Sequence, residues 1–171
     1  HKYEYCDLLV AGSGPSGLAS AYSAAKNGAK VILAEDKPRF GGSLLTSEAN
    51  IGNQSGKEWA EKIISELREM PNVTVKNRSQ VFGYYDHNML VMSERISDHL
   101  PETKKFTPKQ RLWYIRAKEV AISSGSIERP IVFGNNDTPG VVLSSAAKEY
   151  LKVYGVLVGK KPLIFTNNDS A

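Results

Sequence analysis

Three glycines near the start of the sequence have the spacing of a phosphate-binding turn. Gly12, Gly14 and Gly17 form a Gly-x-Gly-x-x-Gly pattern that follows an apolar run and precedes a segment of small residues. The first glycine allows a sharp turn out of a strand, the second lets the backbone approach a pyrophosphate, and the third lets the next helix pack closely. The phosphates would bind N–H groups at the start of that helix. The pattern predicts a dinucleotide site, and a βαβ unit without ligand is the alternative.

An acidic residue stands where this kind of turn needs one. Lys30–Ala34 reads as a buried strand that ends at Glu35, 23 positions after Gly12. This is close to the roughly 20 positions expected for the acid that bonds ribose hydroxyls. Lys37 and Arg39 follow, and a basic residue here could hold a 2′-phosphate. Glu35 would repel that phosphate, so the sequence favours a dinucleotide without it.

Two other stretches combine glycine with the ends of predicted strands. The Gly41-Gly42 pair gives a backbone that can lie beside a cofactor, or a plain turn. Residues 119–125 predict a strand that returns to the parallel sheet and ends in Ser124 and Gly125. A hydroxyl and a bare backbone would then lie at the carboxyl edge, where open α/β sheets bind ligands.

The elements that position these residues follow from hydrophobic periodicity. Apolar residues at helical spacing predict a helix over residues 14–27, which Gly28 would close. Ser55 and Glu58 have the spacing of a capping box, which predicts an amphipathic helix that ends before a proline. Val73–Val75 predicts a short parallel strand.

The pattern changes in the middle of the chain. Short aromatic-rich runs over residues 79–118, with a turn at Asp86–Asn88, predict a small antiparallel β-meander. Residues 101–108 predict an exposed loop. We therefore assign residues 1–136 to a dinucleotide-binding domain that contains this meander.

Residues 137–171 predict the start of a second domain. A turn-rich hinge at 135–140 precedes a helix over residues 143–154, and 162–166 predicts a buried strand. The sequence stops a few residues later, which predicts that the chain is a fragment whose second domain is just beginning.

Composition excludes several classes of function. The net charge is +4, but the basic residues are spread out, which predicts a solvated surface and no nucleic-acid partner. No apolar run is long enough to span a membrane, so no membrane partner is expected. The single cysteine, Cys6, excludes internal disulfides and is expected to be a small apolar strand residue in a cytoplasmic protein.

The sequence offers no constellation for metal binding or nucleophilic catalysis. His87 is the candidate acid or base, but it stands between Asp86 and Asn88, where a turn-forming role is favoured. His99 is expected to be solvated. We predict no catalytic residue and no metal ligand in this chain.

Four longer stretches resemble a known family. These stretches are Phe82–Asn88, Leu112–Lys118, Gly125–Phe133 and Phe165–Ala171. The glycine pattern and the acidic residue at the end of the second strand add to the resemblance. The chain resembles the two-dinucleotide-binding-domain flavoproteins and, among them, the amino-terminal part of the alpha subunits of heterotetrameric sarcosine oxidases. This implies a Rossmann-like FAD/NAD(P)-binding α/β fold with a parallel central sheet and an inserted antiparallel β-meander.

The resemblance also implies an activity and partners. Such a complex oxidatively demethylates sarcosine, with the substrate chemistry on FAD in the beta subunit and FMN between alpha and beta. The alpha subunit would hold NAD without redox turnover and would assemble with beta, gamma and delta subunits. The isolated fragment is expected to be inactive.

The resemblance assigns roles to individual residues. Gly12, Ser13, Gly14, Pro15 and Gly17 would contact the pyrophosphate. Glu35 and Asp36 would contact the adenosine ribose, and Val81 would lie beside the adenine. Gly42 and Ser43 would border the cofactor, and Ser124 and Gly125 would face its phosphates or ribose. Ser16 and Lys37 are further cofactor-binding candidates.

Two departures from the family pattern leave alternatives open. The strand before Gly125 carries Ser123-Ser124, where the family usually has Ala-Thr. The last strand is followed by Asn167-Asn168-Asp169 and not by a second glycine fingerprint, which argues against a standard nicotinamide site there. The alternatives are an FAD-binding domain of another amine or opine oxidoreductase, and a non-catalytic interaction module.

Overall fold

The computed structural model describes residues 1–167, and these divide into two compact units. The first comprises His1–Leu44 and Glu48–Gly125, and the second comprises Leu45–Ser47 and the described residues from Ser126 onward. Asn168 and Asp169, which stand where a second glycine fingerprint would be expected, lie outside the described residues, as do the last residues of the predicted second domain.

The first unit is built on one mixed sheet. Its strands are β1 Lys2–Ala11, β2 Val31–Ala34, β5 Val73–Lys76, β6 Ser79–Tyr85, β7 Met89–Arg95 and β8 Gln110–Ile122. Their spatial order is β5-β2-β1-β8-β7-β6. The four strands β5, β2, β1 and β8 run parallel, while β8, β7 and β6 are antiparallel. The predicted α/β class, parallel sheet and meander are confirmed.

Two helices and a small hairpin complete this unit. Helix α1 spans Pro15–Lys26 and α2 spans Gly56–Glu69. A hairpin of β3, Asn50–Ile51, and β4, Gln54–Ser55, precedes α2 and was not predicted. Short 3-10 helices occupy Gly42–Leu45 and Asp86–Asn88.

Both helices form for the local reasons that the sequence indicates. Pro15 stands at the first turn of α1, and Gly28 follows its end with φ +85°, a conformation that glycine adopts without strain. The capping box of α2 is present: the Glu58 N–H donates to Ser55 Oγ (3.3 Å) and the Ser55 N–H donates to Glu58 Oε2 (2.9 Å). The apolar faces of both helices bury against the sheet in one cluster.

A second apolar cluster joins the parallel strands to the meander. It combines Leu9 and Ile32 of the parallel strands with Met92 and Ile115 of the meander strands. Cys6 belongs to the same cluster, is fully buried, and has its pKa raised to about 12 by burial. The prediction that Cys6 is a small apolar residue of the first strand is confirmed.

One strand replaces two predicted ones. The meander was expected to end near residue 118, with a separate strand over 119–125, but β8 runs without interruption over Gln110–Ile122. Its first half pairs antiparallel with β7, and most of its length pairs parallel with β1, from Lys2↔Trp113 to Ala11↔Ile122. Residues 112–122 contain no glycine or proline that would interrupt a strand. The chain therefore continues as one strand from the segment that pairs with β7 into the segment that pairs only with β1.

A charged cluster ties β5 to the meander. The Trp113 indole N–H donates to Glu94 Oε2 (2.7 Å), Lys76 Nζ lies 3.2 Å from Glu94 Oε1, and the same ammonium lies 4.2 Å from the Trp113 ring centroid. Burial raises the pKa of Glu94, but the Trp113 hydrogen bond and the charges of Lys76 and Arg111 together hold it below its usual value.

We expect Trp113→Phe to lower the free energy of unfolding by about 1–2 kcal/mol, because the Glu94 carboxylate loses a hydrogen bond in a largely buried site. Urea denaturation measures this change. Trp59→Phe is the matched control, since Trp59 is partly buried and its indole makes no hydrogen bond within residues 1–167. Equal losses for the two variants would contradict the role of the Glu94 bond.

The second unit contains one helix, α3, over Ser144–Tyr154, and Gly155 closes it in the left-handed conformation. The predicted helix and its closing glycine are confirmed. The predicted strand at 162–166 is wrong: these residues form no strand, and Leu163 is 95% exposed. A strand needs a neighbour to bond, and no described strand pairs with this segment.

The start of α3 is capped by a side chain that the sequence did not indicate. The Ser144 N–H and hydroxyl donate to Glu128 Oε1 (3.2 and 2.9 Å), and the Ser145 N–H donates to Oε2 (2.7 Å). The hydrogen bonds from Ser145 and Ser144 lower the pKa of Glu128 to about 2.

Lowering the pH is therefore expected to loosen the first turn of α3. A carboxyl whose folded pKa is depressed stabilises the fold above its unfolded pKa, near 4.5, and this contribution is lost as the pH falls toward about 2. At neutral pH, Glu128→Gln should speed amide hydrogen exchange at Ser144 and Ser145. Glu119→Gln, on an exposed position of β8, is the control and should leave that exchange unchanged.

Candidate functional site

The glycine turn connects β1 to α1 and packs tightly against the end of β8. Gly12 has φ +102°, and a Cβ atom there would lie 2.2 Å from the Ser123 carbonyl oxygen. A Cβ on Gly17 would lie 2.0 Å from the Gly12 carbonyl oxygen. Gly14 differs, since a Cβ there would meet no atom within 4 Å. The first and third glycines are thus required by packing, while the second leaves open space beside the backbone.

Glu35 is buried beneath this turn. It follows β2, and only 6% of its surface is exposed. Its Oε2 accepts hydrogen bonds from the Ser13 N–H (2.9 Å) and hydroxyl (2.5 Å), and its Oε1 accepts one from the Lys37 N–H (2.9 Å). The carboxylate therefore fixes the glycine turn to the loop after β2. It also retains acceptor capacity on Oε1 for one further donor.

The surroundings raise the pKa of Glu35. Burial is the main cause and the neighbouring Asp36 adds to it, while the hydrogen bonds from Ser13 and Lys37 act in the opposite direction. Sequence reasoning found Glu35 but assigned it to the ribose alone. The link to Ser13 was missed, although a serine between the first two glycines was visible as a possible donor.

The Gly41-Gly42 pair lies against the same turn. The Gly41 N–H donates to the carbonyl oxygen and to the hydroxyl of Ser13, both at 3.1 Å. Gly42 has φ +52°, and a Cβ there would lie 2.9 Å from Gly14 Cα. Ser43 follows and is exposed. The structure therefore brings this pair against the glycine turn, while its place beside a cofactor stays a prediction.

The other candidates surround this centre. Ser123, and not Ser124, makes the closest approach to Gly12, and its N–H donates to the Ala11 carbonyl oxygen (2.8 Å). Ser124 and Gly125 follow β8 and are exposed. Val81 lies on β6 and packs partly against the cluster that joins the sheet to the meander.

The remaining residues lie on the turn or just after Glu35. Pro15 and Ser16 are exposed in the first turn of α1, and Asp36 is exposed beside Glu35. All the candidate residues belong to the first unit. The backbone N–H groups at the start of α1 have no partner within the helix, so this end of α1 can hold an anion.

The two histidines considered as candidates lie in the connections between the meander strands. His87 is exposed in the β6–β7 turn with φ +58°, as its turn-forming interpretation predicts. The prediction for His99 is wrong, because its side chain is only 20% exposed and packs beside Asp98. Residues 1–167 contain no group of three side chains that could hold a metal ion. Within the same range no helix is long and apolar enough to cross a membrane.

Comparison with known proteins is consistent with this geometry. Sarcosine oxidase subunit alpha from Rhizobium meliloti (strain 1021) is 45% identical over 169 residues, which cover 99% of this chain and 17% of that protein. Sarcosine oxidase subunit alpha from Corynebacterium sp. (strain P-1) is 39% identical over 173 residues, which cover 100% of this chain and 18% of that protein. The chain thus spans less than a fifth of the length of these relatives.

A solved structure and a family model complete the comparison. The crystal structure of L-proline dehydrogenase from P. horikoshii matches 93% of this chain and 31% of its own with a TM-score of 0.74 and 23% identity, which supports the fold. The family model described as FAD dependent oxidoreductase matches residues 7–109, which include the second half of β1, the glycine turn, and strands β6 and β7 of the meander. The chain belongs to the FAD dependent oxidoreductase family.

Proposed function

We propose that this chain is the dinucleotide-binding part of the alpha subunit of a complex that oxidatively demethylates sarcosine. The observation that carries the proposal is the 45% identity to a sarcosine oxidase alpha subunit over nearly the whole chain. The glycine turn, the buried acid and the open face of Gly14 support dinucleotide binding. The chemistry on the substrate would take place elsewhere in the complex, so this chain acts by binding and positioning.

The proposed ligand is NAD. The two acids Glu35 and Asp36 after β2 favour an adenosine ribose with free hydroxyls and disfavour a 2′-phosphate. FAD is the second candidate, because the family is described by its FAD dependence and both dinucleotides share the ADP moiety that the turn would hold. The second candidate would make the chain the FAD-binding domain of another amine or opine oxidoreductase.

The proposed partners are the beta, gamma and delta subunits of a hetero-oligomeric oxidase, with FMN at the alpha–beta interface. The relatives are named as alpha subunits, which supports a multi-subunit assembly. A reducing cytoplasm suits the single buried cysteine.

Titration of the purified chain with NAD, NADP and FAD, followed by thermal denaturation, tests the proposal. A ligand that binds only the folded chain raises its melting temperature in a concentration-dependent manner. We expect NAD to stabilise the chain, NADP to do so less, and Gly14→Ala to abolish the effect while remaining folded. Stabilisation by FAD alone would favour the second candidate. No stabilisation by any of the three would contradict the proposal.

A further inference from the structure

A polar cleft lies beside the loop that follows Glu35, the acidic residue expected to bind the ribose. It has a volume of about 370 Å³ and is lined by Asp36 from that loop and by side chains of the β5–β6 turn and the meander: Arg78, Gln80, Ser93, Arg95 and Gln110. Asp36 directly follows Glu35, so the cleft borders the position where the adenosine end of a dinucleotide is expected.

Two of the lining side chains already have partners. Arg95 Nε lies 3.1 Å from Asp98 Oδ1 and 3.2 Å from Oδ2, and Gln110 Nε2 donates to Asp98 Oδ2 at 2.7 Å. The charge of Arg95 is thereby neutralised by a neighbour. Within residues 1–167, by contrast, the Arg78 guanidinium makes no hydrogen bond and no ion pair, although the residue is partly buried.

The backbone of Arg78 is held in an unusual conformation. Its φ is +49°, in the left-handed region that residues with a side chain adopt rarely. The Arg78 N–H donates to the Lys37 carbonyl oxygen (3.1 Å), and the Arg78 carbonyl oxygen accepts from the Arg95 N–H (2.8 Å). These two bonds fix Arg78 between the loop after Glu35 and strand β7, at the rim of the cleft.

We infer that Arg78 binds the adenosine end of the dinucleotide, with its guanidinium against the adenine ring. The inference rests on the proposed function and adds a residue that the glycine pattern does not reveal. A planar guanidinium stacks well on a flat aromatic ring, and an unpaired one loses no existing bond when it does so. Asp36 shares the cleft and would repel a 2′-phosphate, which favours a contact with the base over a contact with a phosphate.

Isothermal titration of the full chain with NAD, FAD, NADP and ADP tests this role. ADP is the fragment that NAD and FAD share. We expect Arg78→Ala to weaken binding of ADP and of the accepted dinucleotide about tenfold, the typical effect of removing one stacking partner. Arg78→Asn is a second variant that tolerates the left-handed backbone and should show the same loss.

Two further variants separate stacking from charge. Arg78→Lys keeps the charge without the planar group and is expected to bind as weakly as Arg78→Ala. Arg116→Ala is the control: it removes a charge at the opposite end of the meander, where the Arg116 guanidinium donates to the His87 carbonyl oxygen (3.1 Å). Its affinity should match that of the wild type.

The outcomes distinguish the inference from the proposed function. If the wild type binds a dinucleotide and Arg78→Ala and Arg78→Asn bind it equally well, the inference is wrong while the proposed function stands. Recovery of affinity in Arg78→Lys, or a loss confined to NADP, would also overturn the contact with adenine. If the wild type binds none of the four ligands, both the proposed function and the inference fail.

Discussion

Gly17→Ala is expected to lower the free energy of unfolding by at least about 3 kcal/mol, the upper range for overpacking a close contact. The added Cβ would lie 2.0 Å from the Gly12 carbonyl oxygen, a backbone atom that cannot move without opening the turn. Gly12 itself is held close to Ser123, so the strain would spread to the end of β8. Chemical denaturation of the purified variant measures the loss, and failure to obtain folded protein would be its extreme form.

Gly14→Ala provides the matched control on the same turn. Its Cβ would meet no atom within 4 Å, and φ at this position is −66°, so the stability should change by no more than about 0.5 kcal/mol. The methyl group would instead occupy the space that a pyrophosphate needs, and dinucleotide affinity should fall. Equal stabilities of the Gly17→Ala and Gly14→Ala variants would show that the described packing of the turn is incorrect.

Glu35→Ala is expected to lower the free energy of unfolding by about 2–5 kcal/mol, because it leaves two backbone N–H groups without their acceptor. These are the N–H groups of Ser13 and Lys37, and the Ser13 hydroxyl loses its partner as well. Urea denaturation measures the effect. Asp36→Ala is the control, because it removes an adjacent but exposed carboxylate and should cost far less. A similar cost for both variants would contradict the structural role of Glu35.

The same carboxyl predicts a pH dependence with a definite sign. The folded pKa of Glu35 is raised, so its stabilising contribution is complete below the unfolded value near 4.5 and is lost as the pH rises through the folded pKa. Glu35→Gln cannot titrate, and its stability should lack this decline. The difference in unfolding free energy between wild type and Glu35→Gln, followed upward from pH 4.5, isolates the contribution. A difference that stays constant with pH would contradict the raised pKa.

These experiments also change how a loss of binding in Glu35 variants should be interpreted. A simple ribose contact would affect affinity alone, whereas this carboxylate also fixes Ser13 and the loop after β2. A binding assay on Glu35→Ala therefore mixes lost contacts with a loosened turn. Gly14→Ala avoids that ambiguity, since its expected effect on folding is small.

The sequence was sufficient to predict those features that depend only on neighbouring residues. The tight turn at Gly12, Gly14 and Gly17 and the position of Glu35 at a strand end were each predicted from a few neighbouring residues. The capping box of α2 was predicted in the same way and is present. Each of these features depends on short-range geometry that a residue type dictates.

What the sequence could not provide depends on residues far apart in the chain. The bond between Ser13 and Glu35 spans 22 positions, and the place of Arg78 beside Asp36 depends on how β5, β6 and β7 assemble. The strand predicted at 162–166 failed for the same reason, because an apolar run becomes a strand only where a neighbouring strand accepts its hydrogen bonds.

The pairing of β1 with β8 has a consequence for how the chain folds. Lys2 pairs with Trp113 and Ala11 with Ile122, so contacts across more than a hundred residues must form before Ser123 reaches Gly12. Contacts with long sequence separation slow folding, because the entropy of closing the loop is lost before they form. The first helix and its turn can form early, but the packing of Gly12 against Ser123, at the proposed dinucleotide site, is completed late. Acquisition of dinucleotide affinity during refolding would therefore report the closure of the whole sheet.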